Sequence, residues 1–386
     1  MPKAWNIPTT ATECAYRFFD ALERRCGRAP AGDGGGAVVV FMPGHLGDVL
    51  EATPMLKAVR AGAGRRRVVW LVGGWALDLA LRYAGWADEI VEFSPQLDSL
   101  TRGGAQWRQS VTGQWRALRR GGKGGVDVLI STKPVRWFTR FVANTLKPRL
   151  WAGIEDRRPP RVRADIQTEF IAYDRDRPEA EAMLDLAKRA GLVPADAVAG
   201  PAEFPVTEEE RAFATAFLRE EGVEKPLVLL APGSGWNGKN WPADRFVELA
   251  QRLEARGACV AWTGSAGEAA LCQGPGRKWA GRLSLGQLAA IMEHAAVWVG
   301  NDSGPMHLAG AMGCPTTSFW GPTREEKWGI RGSLHVKLRA APACPGCIYW
   351  NWRRTCEVKG HPCMSSIPVE AAETAVLSLL ETRQTP

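Results

Sequence analysis

Residues 300–322 read Gly-Asn-Asp-Ser-Gly-Pro-Met-His-Leu-Ala-Gly-Ala-Met-Gly-Cys-Pro-Thr-Thr-Ser-Phe-Trp-Gly-Pro, and this stretch decides the fold. Val297 to Gly300 is short, apolar and partly β-branched, as a buried strand is. Asn301-Asp302-Ser303-Gly304-Pro305 makes a tight turn, and Met306 to Met312 is small and apolar enough for a close-packed helix. Pro305 suits the first helical turn, where a missing N–H costs nothing. A strand that ends in a small polar turn and opens a helix aims free N–H groups at whatever lies above the sheet. That is an anion or phosphate site, flanked here by Asp302 and His307.

The flanking sequence repeats the pattern. The chain has 386 residues, 45% apolar and 23% charged, which suits a globular protein of two domains. No apolar run reaches the ~18–20 residues of a membrane span. The start, Met-Pro-Lys-Ala-Trp-Asn, lacks the apolar core of a secretory signal, so the expected location is the cytoplasm. The formal charge is +8, with basic clusters at Arg65-Arg66-Arg67, Arg119-Arg120 and Arg157 to Arg163. They read either as solvated surface or as attraction to an anionic ligand or acidic partner. No nucleic-acid module is visible. Most of the seventeen tryptophans are expected in cores or subunit contacts, with a few free to stack on sugar or base rings.

Residues 1–36 form an N-terminal extension with one helical stretch, Thr12 to Arg25, and a glycine-rich joint. Strands are expected at Ala37–Met42, Val68–Val72, Ile90–Phe93 and Val126–Ser131, with helices at Val49–Arg60, Trp75–Ala84, Trp137–Leu146 and Glu179–Ala190. After a linker from Gly191 to Pro205 comes a helix, Glu208 to Glu221. The strands Leu227–Ala231, Cys259–Thr263, Val297–Gly300 and Thr316–Phe319 then alternate with further helices, and a last helix spans Val369 to Thr382. This alternation predicts an α/β fold of two Rossmann-like domains, residues 37–205 and 206–386, with a ligand cleft near the C-terminal ends of their strands.

Three more loops carry chemistry. Gly44-His45-Leu46-Gly47-Asp48 joins a strand to a helix, with Asp48 either a helix cap or a carboxylate able to take a proton from an acceptor hydroxyl. The loop Pro232-Gly233-Ser234-Gly235-Trp236-Asn237-Gly238-Lys239-Asn240-Trp241 combines free backbone, a hydroxyl and a point charge, which suits a diphosphate. Glu268, after Thr263-Gly264-Ser265, is either a ribose-binding carboxylate or a helix-start carboxylate.

In this order, Gly44-x-x-Gly47-Asp48, Ser234…Lys239-x-Trp241, Gly264…Glu268 and Asp302-Ser303-Gly304-Pro305-x-His307-x-Ala309 resemble family 9 glycosyltransferases, the ADP-heptose heptosyltransferases of GT-B fold. The resemblance spans roughly residues 37–380. It implies that Ser234, Gly235 and Lys239 hold the diphosphate and that Glu268 binds the ribose. Asp302, Ser303, Gly304 and His307 line the donor site, and Gly47 of the Gly44–Asp48 loop is a further expected substrate-binding residue. Such enzymes invert the anomeric carbon, need no divalent metal for catalysis and draw a carboxylate base from the N-terminal domain.

Nine cysteines are present, and four cluster as Cys344-x-x-Cys347-x8-Cys356-x6-Cys363. In a reducing compartment that spacing suits a tetrahedral thiolate site for one structural iron or zinc, with disulfides and unrelated buried thiols as alternatives. The spacing and the N-terminal extension are similar to those of the bacterial autotransporter heptosyltransferases. The resemblance implies transfer to serines of an autotransporter adhesin, a ring-shaped homo-oligomer and a base drawn either from Asp48 or from Asp98 after the third strand. The alternatives are a lipopolysaccharide core enzyme acting on lipid A–Kdo, a non-catalytic nucleotide-binding scaffold and a nucleotide-sugar epimerase.

Overall fold

The computed structural model describes residues 35–93, 113, 116–134, 137–155, 164–340 and 362–384. The expected Thr12–Arg25 helix, Asp98, the Arg157–Arg163 run and Cys344, Cys347 and Cys356 lie outside the described residues. The chain divides into two compact units. One runs to Asp174 and includes Glu179–Gly200; the other comprises Arg175–Pro178 and the chain from Pro201. Both are α/β, each built on a six-stranded parallel sheet.

The first unit contains strands β1 (Ala37–Met42), β2 (Val68–Val72), β3 (Glu89–Glu92), β4 (Val126–Pro134), β5 (Leu150–Glu155) and β6 (Gln167–Ala172). They form one parallel sheet in the order β3-β2-β1-β4-β5-β6. β1 is apolar at every position and fully buried, as a central parallel strand covered on both faces must be. Strand order reverses between β1 and β4, so the segments that follow these two neighbours diverge and leave room above their C-terminal ends. Helix α1 (Leu46–Gly62) follows β1 and carries Pro54 in its interior. Pro54 has no N–H for the Leu50 carbonyl; the Thr53 hydroxyl donates to that carbonyl instead, at 2.7 Å. Helix α2 (Glu179–Arg189) completes the part of this unit that bears on the site.

Sequence patterning missed β5 and β6. β5 is interrupted by Gly153, and β6 alternates polar residues because it is a half-exposed edge strand, so neither shows the continuous apolar run of a buried strand. The helix expected over Trp75–Ala84 is shorter. A 3₁₀ turn, Gly74–Ala76, precedes a helix at Leu77–Leu81, with Gly74 and Gly85 bounding the segment.

The second unit repeats the plan. Strands β7 (Leu227–Ala231), β8 (Cys259–Trp262), β9 (Arg277–Lys278), β10 (Val297–Asn301), β11 (Thr316–Trp320) and β12 (His335–Arg339) lie in the order β12-β11-β10-β7-β8-β9, all parallel. The reversal falls between β7 and β10. Helices α3 (Ala243–Ala255), α4 (Leu285–His294) and α5 (Gly304–Ala311) follow β7, β9 and β10 respectively. The last helix, α6 (Val369–Gln384), adds Ala372, Val376 and Leu379 to the core. It is tied to α3 by Arg252, whose guanidinium reaches Glu370 at 2.6 Å and Glu373 at 3.1 Å. β9 and the charged edge strand β12 were not legible in the sequence. Seven tryptophans are among the fully buried side chains, as core packing requires. Cys363 lies in the same apolar core as α6, and Cys259, Cys272 and Cys314 are buried too.

Candidate functional site

In the second unit, β10, β7 and β8 are adjacent, so the turns that leave their C-terminal ends converge. They are Asp302–Pro305, the Pro232–Trp241 loop and the Thr263–Glu268 turn. Asn301, fully buried at the end of β10, ties two of them together. Its Oδ1 accepts from the Trp241 N–H at 2.8 Å, and its Nδ2 donates to the Pro232 carbonyl at 2.8 Å. The loop's far end is pinned by Trp241, which stacks on Phe319 at 4.3 Å and donates its indole N–H to the Ile367 carbonyl at 3.0 Å. Asn301 was quoted in the motif but not singled out as functional. Its role depends on backbone groups some sixty positions away, which no local pattern displays.

That anchored loop presents Lys239 to Asp302, with Nζ 3.0 Å from Oδ2 and both side chains mostly buried. Burial favours the neutral acid, but the Lys239 and His307 charges outweigh it, and the Asp302 carboxyl titrates below its ordinary value. Asp302 is therefore an anion throughout the neutral range, and Lys239 is its counter-charge. Ser303 precedes α5 in extended conformation, and Pro305 occupies the first helical turn as expected. The Ser303 hydroxyl is buried and, among the described residues, has no hydrogen-bond partner. That hydroxyl lies beside the free N–H groups of a helix N-terminus, an arrangement chemically able to receive an anion or a sugar hydroxyl. His307 lies buried on the same helix.

The other expected donor residues divide. Gly235 is exposed at the loop's tip. The Ser234 hydroxyl donates to the Trp236 carbonyl at 2.8 Å, so it braces the loop and retains acceptor capacity only. For Glu268, one of the two sequence readings is met directly: Oε2 accepts from the Ser265 N–H at 2.7 Å and its hydroxyl at 2.8 Å, a helix-start capping box. The same side chain lies over Gly233, where a Cβ would overlap its carboxylate. A larger residue at 233 would thus displace the Glu268 carboxylate, which sits against the Pro232–Trp241 loop.

In the first unit, Asp48 lies at the switch point between β1 and β4. Its Oδ2 accepts from the His45 N–H at 2.7 Å, so it does cap α1. Its Oδ1 is ion-paired with Lys133 at the end of β4, and Lys133 is also 3.5 Å from Glu179 Oε1 at the start of α2. Burial opposes ionisation of both partners, yet the mutual charges prevail: Asp48 titrates below and Lys133 above its ordinary value. Gly44 faces this cluster, since a Cβ there would collide with Asp48, and Gly47 lies one residue before it. Lys133 and Glu179 were absent from the sequence reading because they join the cluster only through the sheet order. Asp98, the competing base, lies outside the described residues.

The family model described as Glycosyltransferase family 9 (heptosyltransferase) matches residues 155–347, half of the chain. The chain belongs to that family. This family 9 heptosyltransferase is 26% identical over 335 residues to lipopolysaccharide heptosyltransferase 1 of Pseudomonas aeruginosa, covering 83% of this chain and 87% of the relative. Among solved structures it is similar to a glycosyl transferase family 9 protein from Veillonella parvula, with TM-score 0.74, 22% identity and coverage of 90% of this chain and 98% of that one. It is also similar to the dodecameric iron-containing heptosyltransferase TibC from enterotoxigenic E. coli, solved with ADP-D-β-D-heptose. There the TM-score is 0.54, the identity 15%, and the coverage 92% of this chain and 78% of that one. These likenesses establish the GT-B-like fold. Among the described residues no helix is long and apolar enough to cross a membrane, and none of their His, Cys, Asp and Glu side chains group to hold a metal ion.

Proposed function

We propose that the protein transfers heptose from ADP-heptose to an acceptor hydroxyl with inversion at the anomeric carbon. The observation that carries this reading is the buried Lys239–Asp302 pair beside the unpaired Ser303 hydroxyl at the N-terminus of α5. Lys239, Gly235 and the loop backbone hold the diphosphate, with Ser234 bracing them. Glu268 takes the ribose through Oε1, since its Oε2 is committed to the cap. Asp302, Ser303, Gly304 and His307 line the donor sugar side, and Asp48 removes the acceptor proton as the hydroxyl oxygen attacks and ADP leaves. Lys239 supplies the positive charge a divalent metal would otherwise provide, so transfer persists in EDTA.

The Pseudomonas relative, aligned over most of both chains, supports a lipopolysaccharide core acceptor of the lipid A–Kdo type. A second reading, transfer to serines of an autotransporter adhesin in the cytoplasm, is supported by the cysteine spacing and by the likeness to TibC. Intact mass after incubation with ADP-heptose separates them. One heptose added to lipid A–Kdo supports the first, and one heptose per serine on a co-expressed adhesin supports the second. ADP-heptose bound but neither transferred nor hydrolysed means a non-catalytic scaffold.

In either case Cys344, Cys347, Cys356 and Cys363 would hold one structural iron or zinc outside the transfer chemistry, and a ring-shaped homo-oligomer is part of the second reading. Elemental analysis finding neither metal removes that proposal. Gly233→Ala is expected to push Glu268 aside and weaken ADP binding about tenfold, measured by calorimetry, with little change in melting temperature.

A further inference from the structure

Thr323 follows directly on the 300–322 stretch, in the turn that leaves β11. β11 lies beside β10, and the Asp302 N–H donates to the Phe319 carbonyl at 3.4 Å. This turn therefore flanks Asp302 on the side away from the loop that carries Lys239, which leaves β7. Thr323 is only 6% exposed. Its hydroxyl lies within reach of the Asp302 carboxylate and helps to hold it ionised, yet it completes no aligned hydrogen bond among the described residues. The turn is held at both ends. Gly321 packs under Met364 and Cys363, where a Cβ would come within 2.5 Å and 3.1 Å of their sulfur atoms. Beyond Thr323, the Arg324 guanidinium is ion-paired with Asp176, and the buried Lys327 ammonium donates to the Arg177 carbonyl at 3.5 Å. Thr323 is thus a buried hydroxyl on an anchored turn.

We propose that Thr323 reads the sugar of the donor: its hydroxyl donates to the Asp302 carboxylate and accepts from a hydroxyl of the sugar being transferred. The strand order sets the direction. The turns after β8, β7, β10 and β11 carry Glu268, Lys239, Asp302 and Thr323 in a row, three strand spacings or about 14 Å in all. The inference rests on the reading that Glu268 takes the ribose and Lys239 the diphosphate, which puts the sugar at the Asp302–Thr323 end of the row. The chemistry sets the partner. A carboxylate only accepts, so the Thr323 proton is directed to Asp302 and its lone pairs remain for a donor. A sugar hydroxyl can supply that proton and an ionised phosphate oxygen cannot, so Thr323 distinguishes the sugar from the diphosphate beside it.

The test is calorimetric titration of the full-length protein with ADP and, separately, with ADP-heptose. Thr323→Val keeps the side-chain shape and removes the hydroxyl. It should weaken ADP-heptose binding about tenfold, the scale of one lost hydrogen bond, and leave ADP binding and the melting temperature unchanged. Thr323→Ser restores the hydroxyl and should restore ADP-heptose affinity. Thr323→Ala removes the hydroxyl without adding an apolar branch and should repeat the valine result, which covers a valine variant that folds poorly. Equal losses for ADP and ADP-heptose would make Thr323 a support of the phosphate site, and full ADP-heptose affinity in both hydroxyl-free variants would leave it no ligand to read. Either result overturns the proposal while the donor assignment stands. A wild type that binds ADP but not ADP-heptose overturns the donor assignment, and this inference with it.

Discussion

Lys239→Met should lower kcat/KM for ADP-heptose by about 10²–10³-fold, the scale of losing one preorganised charge at a developing anion. In the proposed reaction the leaving ADP carries that anion, and Lys239, held by the anchored Pro232–Trp241 loop, would be the cation beside it. The substitution also leaves Asp302 ionised and buried without its counter-charge, so stability should fall by about 3–5 kcal/mol. The two effects separate in the double variant Lys239→Met, Asp302→Asn. Thermal melting should recover most of its loss, because no unpaired charge remains, while ADP affinity stays low by calorimetry. Wild-type ADP affinity in the stable double variant would show that Lys239 serves the fold and not the ligand. The Asp302 carboxyl titrates low, so the pair's contribution is present above the ordinary carboxylate range and is lost as pH falls through the depressed value.

Asp48→Asn should lower kcat by about 10²–10⁴-fold with ADP affinity unchanged, the range of a lost general base. The same substitution at Asp98 is the control. A collapse there with Asp48→Asn near wild type would assign the base to Asp98. Lys133 sharpens the test. It holds Asp48 ionised well into acid, so activity should persist below the usual carboxylate range. Lys133→Met removes the charge that lowers the Asp48 carboxyl, and the acid limb of the pH–rate profile should move upward by a readable step. An acid limb that stays in place would mean that Asp48 does not control the rate. Glu179→Gln, which leaves the Lys133–Asp48 pair in place, should move the limb less.

The turn that follows β10 could be read from the chain because its geometry is local. Asp302, Ser303, Gly304 and Pro305 are consecutive, and a strand, a turn and a helix start are each specified by residues a few positions apart. The same holds for Ser265 and Glu268, where a helix-start cap and a ribose-binding carboxylate would share one signature, so sequence could not separate them. The structure shows that one oxygen caps the turn while the side chain lies on Gly233, which leaves room for both uses. The edge strands β6, β9 and β12 were not legible, because a half-exposed or two-residue strand lacks the apolar run that marks a central one, and the inner strand β5 was hidden by Gly153, which interrupts its apolar run. The cysteine spacing is a purely sequential observation, and only Cys363 among the four is described, buried in the core beside α6.

Alternation of apolar runs with helical stretches was enough to establish a parallel α/β protein with glycine-rich turns after its strands, since hydrophobic period and turn residues act over a few positions. The order of the strands was not. It arises from which apolar faces pack together, and that order sets β4 beside β1 and β10 beside β7. From it follow the meeting of Lys133 with Asp48 and Glu179 and the clamp that Asn301 places on the Pro232–Trp241 loop. Each of these joins residues far apart in the chain, and ionic and hydrogen-bond energies fall off over a few ångströms. They therefore exist only once tertiary packing has brought the groups together.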